Sequence, residues 1–260
     1  MNADRTLLTD EMWAELSPLF PGQVGCCGVT AADTRGFVEA VLWLGRTGVA
    51  WRDLPAHLGQ WHPGVRAVCP VAGQRHVGTG NGLADSQQPT ASPLPATAVA
   101  SGFDQCAGAS ARHRCRKKNG EQAVGRSRGG NTSKIHLVGD GAGQVLGWQL
   151  TAGQAGDAPQ AAGLLSRWLA PAQQVLGDAV YDSDTLRALI AQAGATAVIQ
   201  PNPRRKNLPL FDPVAYKDRH YIEQTFSKFK QFRRIATRYD KLDRSFDSFI
   251  CLRVITLYLN

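Results

Sequence analysis

The feature that most limits what this chain can fold into is a break in its middle. Between Trp61 and Trp148 the only aromatic residue is Phe103, and between His62 and Arg116 the only acids are Asp85 and Asp104. Small residues, five prolines and seven glycines dominate residues 62–116, and no period of 2 or 3.6 is sustained there. Such a stretch reads as a linker. A structureless run of roughly 55 residues is nevertheless foreign to a compact enzyme. A core must therefore come from the two flanks. The whole chain, 260 residues with 43% hydrophobic and 19% charged, is long and apolar enough to build one and is not compositionally disordered.

The first flank, residues 1–61, reads as helical. Thr9 can cap a helix with Asp10 and Glu11 in its first turn, where carboxylates favour the positive helix end. Met12, Trp13, Leu16, Leu19 and Phe20 follow at helical spacing. A second helix fits Thr34 to Leu44, with Phe37, Val38, Val41 and Leu42 on one stripe and Gly45 near its end. A turn-like segment, Trp51-Arg52-Asp53-Leu54-Pro55, comes next.

The second flank, residues 117–260, has an α/β pattern. Lys134 to Val138 and Gln144 to Leu150 alternate as strands around Asp140-Gly141-Ala142-Gly143, a hairpin. Gln174 to Asp178 is an apolar strand ending in a carboxylate, Ser183 to Ala193 a helix, and Ala197 to Gln200 another strand. Helices fit Tyr216 to Phe232 and Ser245 to Leu259.

Lys plus Arg exceed Asp plus Glu by 29 to 21. The excess concentrates in Arg112–Lys134 and Lys217–Arg238, which points to a polyanion, most often nucleic acid. Six cysteines without a CxxC pair argue against zinc and a disulfide framework. No apolar run reaches 18 residues and the N-terminus has acids where a signal peptide has bases, so a cytoplasmic protein without membrane contact is expected.

Two carboxylates stand out. Asp178 ends a strand and opens a turn, a common place for functional groups in α/β sheets. Glu223 shares a helical stripe with Tyr216, Arg219, Phe226 and Lys230, spaced by threes and fours. Ion pairing alone could account for that stripe. The spacing Tyr216, Arg219, Glu223, Lys230, however, resembles the Y-(2)-R-(3)-E-(6)-K motif of insertion-sequence DDE transposases. Gln231 to Lys241, Gly125-Arg126-Ser127-Arg128-Gly129-Gly130 with Lys134-Ile135-His136, Gly177 to Ser183 and Trp51 to Pro55 resemble that family too.

The resemblance implies an RNase H-like catalytic domain at 117–260 behind a small helical N-terminal domain at 1–61. It also implies three carboxylates holding two Mg²⁺ or Mn²⁺ ions, double-stranded DNA (element ends and target) as partner, and a homo-oligomer when active. Asp178 and Glu223 would be the second and third metal ligands. Tyr216, Arg219 and Lys230 would surround phosphates, and Arg126, Arg128, Arg233 and Arg234 would position DNA through its phosphates. His136 and His220 read as packed or surface residues rather than ligands. A related nuclease that cuts without joining, and a non-enzymatic DNA-binding remnant, are the rival readings.

The family's first aspartate belongs in a motif resembling DSTxVRAH ahead of the Gly-Arg-Ser-Arg-Gly-Gly segment, and none occurs. Asp104 lies at a suitable distance but its neighbours do not fit. Suppose Gly102 to Ser110 is encoded GGA TTC GAC CAG TGT GCG GGC GCA TCA, followed by the G of Ala111. A shift of one base then reads DSTSVRAHQ. The same shift over Arg66 to Gly82 can yield an aromatic, basic helical stretch. Residues from about 63 to 116 are therefore expected to be translated out of frame, and the central strand with its first aspartate to be lost.

Overall fold

The computed structural model describes residues 8–20, 33–59, 96–100 and 122–259. Helix α1 (Asp10–Leu16) starts as its sequence requires: the Thr9 hydroxyl accepts from the Met12 N–H at 3.2 Å, and Met12 and Leu16 turn inward. Helix α2 (Thr34–Thr47) is capped by Asp33, whose Oδ1 accepts from the Gly36 N–H at 2.8 Å. It runs three residues past the expected end at Leu44. Its terminator is Gly48, at φ +72°, whose N–H reaches the Leu44 carbonyl at 2.9 Å. Gly45 serves packing instead. It is buried, and a Cβ there would lie 2.8 Å from the Phe232 ring.

The sheet contains β1 (Ala96–Ala100), β2 (Gly125–Ser127), β3 (Gly130–Gly139), β4 (Val145–Ala152), β5 (Gln174–Gly177) and β6 (Thr196–Ile199). β3 and β4 form the expected hairpin, and Asp140 organises its turn by accepting from the Ala142 and Gln144 N–H groups at 2.9 and 2.8 Å. The described strands run β4-β3-β1-β5-β6, with β2 paired to the outer end of β3. β3 and β4 are antiparallel, whereas β1, β5 and β6 are parallel.

β1 corrects the sequence reading, which places no strand in 62–116. It pairs antiparallel with β3 (Ala98 with Gly139, Ala100 with Leu137) and parallel with β5 (Ala96 with Gln174, Ala98 with Leu176). Ala-Thr-Ala-Val-Ala carries no strong alternation, so periodicity is silent about it. Two flanking ladders satisfy its backbone groups regardless of side-chain pattern.

Alternating residues of the central strands feed two cores. Val138, Val175 and Ile199 pack with Ala161, Leu164 and Leu165 of α3 (Asp157–Leu165), a helix absent from the sequence reading, and with Leu186 and Ile190 of α4 (Asp184–Gln192). Leu137, Leu176 and Val198 belong to the opposite cluster, with α5 (His220–Lys230), α6 (Arg233–Ala236) and α7 (Asp243–Tyr258). Leu8, Met12, Leu16, Val38, Val41, Leu42 and Leu44 join that second cluster. The described N-terminal helices thus share a core with the C-terminal ones.

Gly48 caps α2 against Arg233, and an added Cβ would sit 2.9 Å from the Arg233 Cβ on a backbone that L-residues rarely adopt. Gly48→Ala is expected to lower stability by about 1–2 kcal/mol, read as a fall in urea midpoint at unchanged m-value. An unchanged midpoint would show that this junction does not constrain the fold.

Candidate active site at the carboxyl end of the parallel strands

Asp178 follows β5 directly and caps a short 3₁₀ turn, accepting from the Val180 N–H at 3.1 Å. Continuing the β1–β5 register by two residues brings Ala100 level with Asp178. Glu223 lies exposed in the first turn of α5, at the border of the face formed by the buried Ile222, Phe226 and Phe229. Of the stripe expected from sequence, Tyr216, Arg219 and Glu223 stay together although Tyr216 and Arg219 occupy a 3₁₀ turn (Ala215–Arg219). Glu223 and Lys230 are exposed, and Phe226 turns into the core.

Within this group the polar contacts form a chain. The Tyr216 hydroxyl donates to Gln200 Oε1 at 3.1 Å, just past the end of β6, and accepts from Arg219 Nε at 3.2 Å. Both Arg219 terminal nitrogens donate to Glu223 Oε1, at 2.9 and 2.6 Å. The Tyr216 phenol is held above its usual range, first by burial and then by the negative charges of Asp178 and Glu223, against the opposing charge of Arg219. The hydrogen bonds thus join three residues singled out from sequence, Tyr216, Arg219 and Glu223.

The remaining expected residues divide. Arg126 and Arg128 are exposed on the β2–β3 ribbon, and Arg233 is exposed on α6. Arg234, expected to face DNA, is turned inward: it is 5% exposed, pairs with Asp240 through two nitrogens at 3.1 Å, and donates to the Val49 carbonyl at 2.9 Å. An arginine so engaged cannot reach a phosphate. Arg238 is equally internal, donating to Asp243 at 2.7 Å and to the Ser133 hydroxyl. Asp104 lies outside the described residues.

Of His136 and His220, one is packed and one lies at the surface. His136 is buried, its Nε2 2.8 Å from the Thr151 hydroxyl, and burial lowers its pKa despite Asp157 nearby. His220 is exposed, with Nδ1 against the Lys217 carbonyl at 2.8 Å. Cys251 is a free thiol whose pKa is pushed up to about 12 by burial.

A functional residue that the sequence reading passes over is Asp182. Its side chain is fully buried and accepts from Arg187 Nε at 2.7 Å, Arg205 Nε at 2.6 Å and the Asn202 N–H at 2.8 Å. Arg187 also donates to the Ile199 carbonyl at 2.9 Å. This network ties the turn after Asp178 to the end of β6, where Gln200 meets Tyr216. Its signal is the second aspartate in Asp178-Ala179-Val180-Tyr181-Asp182, overshadowed by the first.

Asp178 and Glu223 are hard oxygen donors of the kind Mg²⁺ and Mn²⁺ prefer. Among the described residues no three His, Cys, Asp or Glu side chains are grouped as a metal site. The central-strand residue level with Asp178 is an alanine. The described donors therefore do not complete a three-carboxylate, two-ion set.

Comparisons with known proteins give the family. A family model described as "Putative transposase of IS4/5 family" matches residues 8–67, and one described as "Transposase DDE domain" matches residues 175–260, spanning both carboxylates. The chain is 44% identical over 129 residues to a Brucella ovis protein named "Putative transposase for insertion sequence element IS6501", covering 49% of this chain and 98% of that protein. It is 35% identical over 54 residues to "Uncharacterized protein y4sN" of Sinorhizobium fredii, covering 21% of this chain and 43% of that protein. No solved structure matches. The chain belongs to the insertion-sequence transposases of the DDE type.

The Asp182 cluster has a measurable pH signature. Burial by itself would raise its pKa, but the Asn202 N–H and the two arginines together hold it below 3.8. Its stabilising contribution is thus complete above 3.8 and is lost as pH falls through the depressed value. Asp182→Asn should flatten the acid limb of the stability profile and speed hydrogen exchange in 199–205. A mutant with the same acid limb as the parent would contradict the assignment.

Proposed function

We propose that this chain derives from a transposase that cuts and rejoins duplex DNA with divalent metal ions, and that as written it lacks the first catalytic carboxylate and does not turn over. The observations that carry the reading are Asp178 at the carboxyl end of β5, level with Ala100 on β1, and the Gln200–Tyr216–Arg219–Glu223 hydrogen-bond chain that starts just past the end of the neighbouring β6. An RNase H-like fold is supported by the strand order β4-β3-β1-β5-β6, parallel on one side of β1 and antiparallel on the other, with helices on both faces.

The reaction of an intact relative accounts for these residue types. Water attacks phosphorus in line, forming a new P–O bond as the bond to the 3′-oxygen breaks and leaves a 3′-hydroxyl. That hydroxyl then attacks a second phosphodiester, displacing its 3′-oxygen and taking over the phosphate. Two ions bound by three carboxylates would stabilise the attacking and leaving oxygens together. Around them Arg219 offers a planar fork for phosphate oxygens, Lys230 a mobile point charge and Tyr216 a hydroxyl donor. In the free chain Glu223 and Arg219 neutralise each other, so DNA must compete for that arginine.

The out-of-frame reading of residues 63–116 explains the missing ligand. β1 is compatible with it, because backbone pairing can recruit a small-residue segment to the central position without restoring a carboxylate.

The test compares the chain as written with one in which 63–116 is replaced by the shifted reading. The restored chain should show Mg²⁺-dependent cleavage and strand transfer. Asp178→Asn or Glu223→Gln in it should each reduce both by at least about 10²-fold with little effect on DNA binding. The chain as written should show neither activity. Strand transfer by the unrestored chain, abolished by Asp104→Asn, would overturn the reading and make Asp104 the first acid. Cleavage without joining by the restored chain would support the nuclease alternative instead.

A further inference from the structure

We propose that the β2–β3 ribbon is a DNA-reading arm that enters the major groove of duplex bound at the Asp178–Glu223 end of the sheet. This deepens the DNA-directed reading above and rests on it. β3 is antiparallel to β1, with Leu137 opposite Ala100, so residues before 137 run on beyond the end of β1. That is the end at which Asp178 emerges from β5. Seven residues separate Leu137 from Gly130, so the ribbon tip stands roughly 20 Å beyond the level of the carboxylates.

The ribbon is built to project. β2 pairs with β3 through Gly125 with Thr132, Arg126 with Asn131 and Ser127 with Gly130, closed by a two-residue turn of Arg128 and Gly129. Residues 128–131 are all exposed, and a side chain at Gly130, with φ +103°, would meet nothing within 4 Å. The Ser127 hydroxyl knits the turn, donating to the Gly130 carbonyl at 3.3 Å and accepting from the Gly129 N–H at 3.2 Å.

Its root is fixed. The Ser133 hydroxyl donates to the Ala123 carbonyl at 2.7 Å and accepts from the buried Arg238, while Gly125 lies against the end of the Gln154 side chain. A rigid root, a tip slimmed by two glycines and exposed Arg126 and Arg128 suit one occupant. The major groove admits a two-stranded ribbon, and arginine both pairs with phosphate and reads the guanine edge.

The experiment measures binding of the full chain to a fluorescent duplex of about 30 base pairs across a salt series. Arg126→Ala with Arg128→Ala is compared with Arg46→Ala and Arg52→Ala, which remove the same charge from exposed sites at the end of α2 and just beyond. The ribbon pair should weaken binding on the order of tenfold and lower the slope of log affinity against log salt by about 2, and the control pair should change little. Methyl green, which occupies the major groove, should displace the chain, and netropsin, which occupies the minor groove, should not. Equal effects of the two pairs, or displacement by netropsin alone, would overturn the inference while leaving DNA binding intact. No binding by the unmodified chain would overturn both the inference and the reading beneath it.

Discussion

Everything at the functional end of this molecule depends on the pairing of β1 between β3 and β5. That strand has two ladders, antiparallel on one side and parallel on the other, and so joins the hairpin half of the sheet to the half that carries Asp178. Without it the buried edges of β3 and β5 would each leave a row of amides and carbonyls unpaired, a cost of about 1–3 kcal/mol for each buried group. The pairing also sets the register, and the register decides which residue lies level with Asp178. In this chain that residue is Ala100. Backbone geometry and catalytic chemistry are therefore separable here. A strand can occupy the centre of the sheet, satisfy its neighbours and still bring no ligand.

Around this centre two buried polar networks hold the elements that bear the site. Asp182, with Arg187 and Arg205, fixes the connection from β5 to the segment after β6, and hence the position of Gln200 under Tyr216. Arg234 and Arg238, with Asp240 and Asp243, fix the segment between α6 and α7 against Val49 and Ser133. Their guanidinium groups lie over the Phe249 and Phe246 rings at 4.8 and 4.9 Å. Breaking a buried pair by removing one partner leaves an uncompensated charge, so these networks confer a single geometry more than they add net stability.

Much of this is legible in the sequence where the local signal is strong. The β3–β4 hairpin follows from alternation and from a turn whose Asp140 and Gly143 both do what their residue types allow. The start of α1 at Thr9 and of α4 at Ser183 follows from capping chemistry. Other features depend on contacts that no local pattern encodes. β1 consists of small residues whose state is set by its neighbours. Gly45 and Gly48 look alike as helix stops, and only the Phe232 ring and the left-handed backbone distinguish packing from termination. Arg233 and Arg234 are adjacent and identical, yet one is exposed and the other committed to Asp240 and Val49, partners 6 and 185 residues away. The stripe of Tyr216, Arg219 and Glu223 forms as its spacing implies, although its first turn is 3₁₀.

Whether the site is incomplete because residues 63–116 are read in the wrong frame, as proposed above, is decided by the nucleotide sequence of the gene across those codons. A one-base shift there is expected to encode an aspartate-bearing motif of the DSTxVRAH kind at codons 102–110, and an aromatic, basic helical stretch over codons 66–82. A gene whose shifted frames contain stop codons or no such motif at those positions would contradict it, and the loss of the first carboxylate would then need another origin.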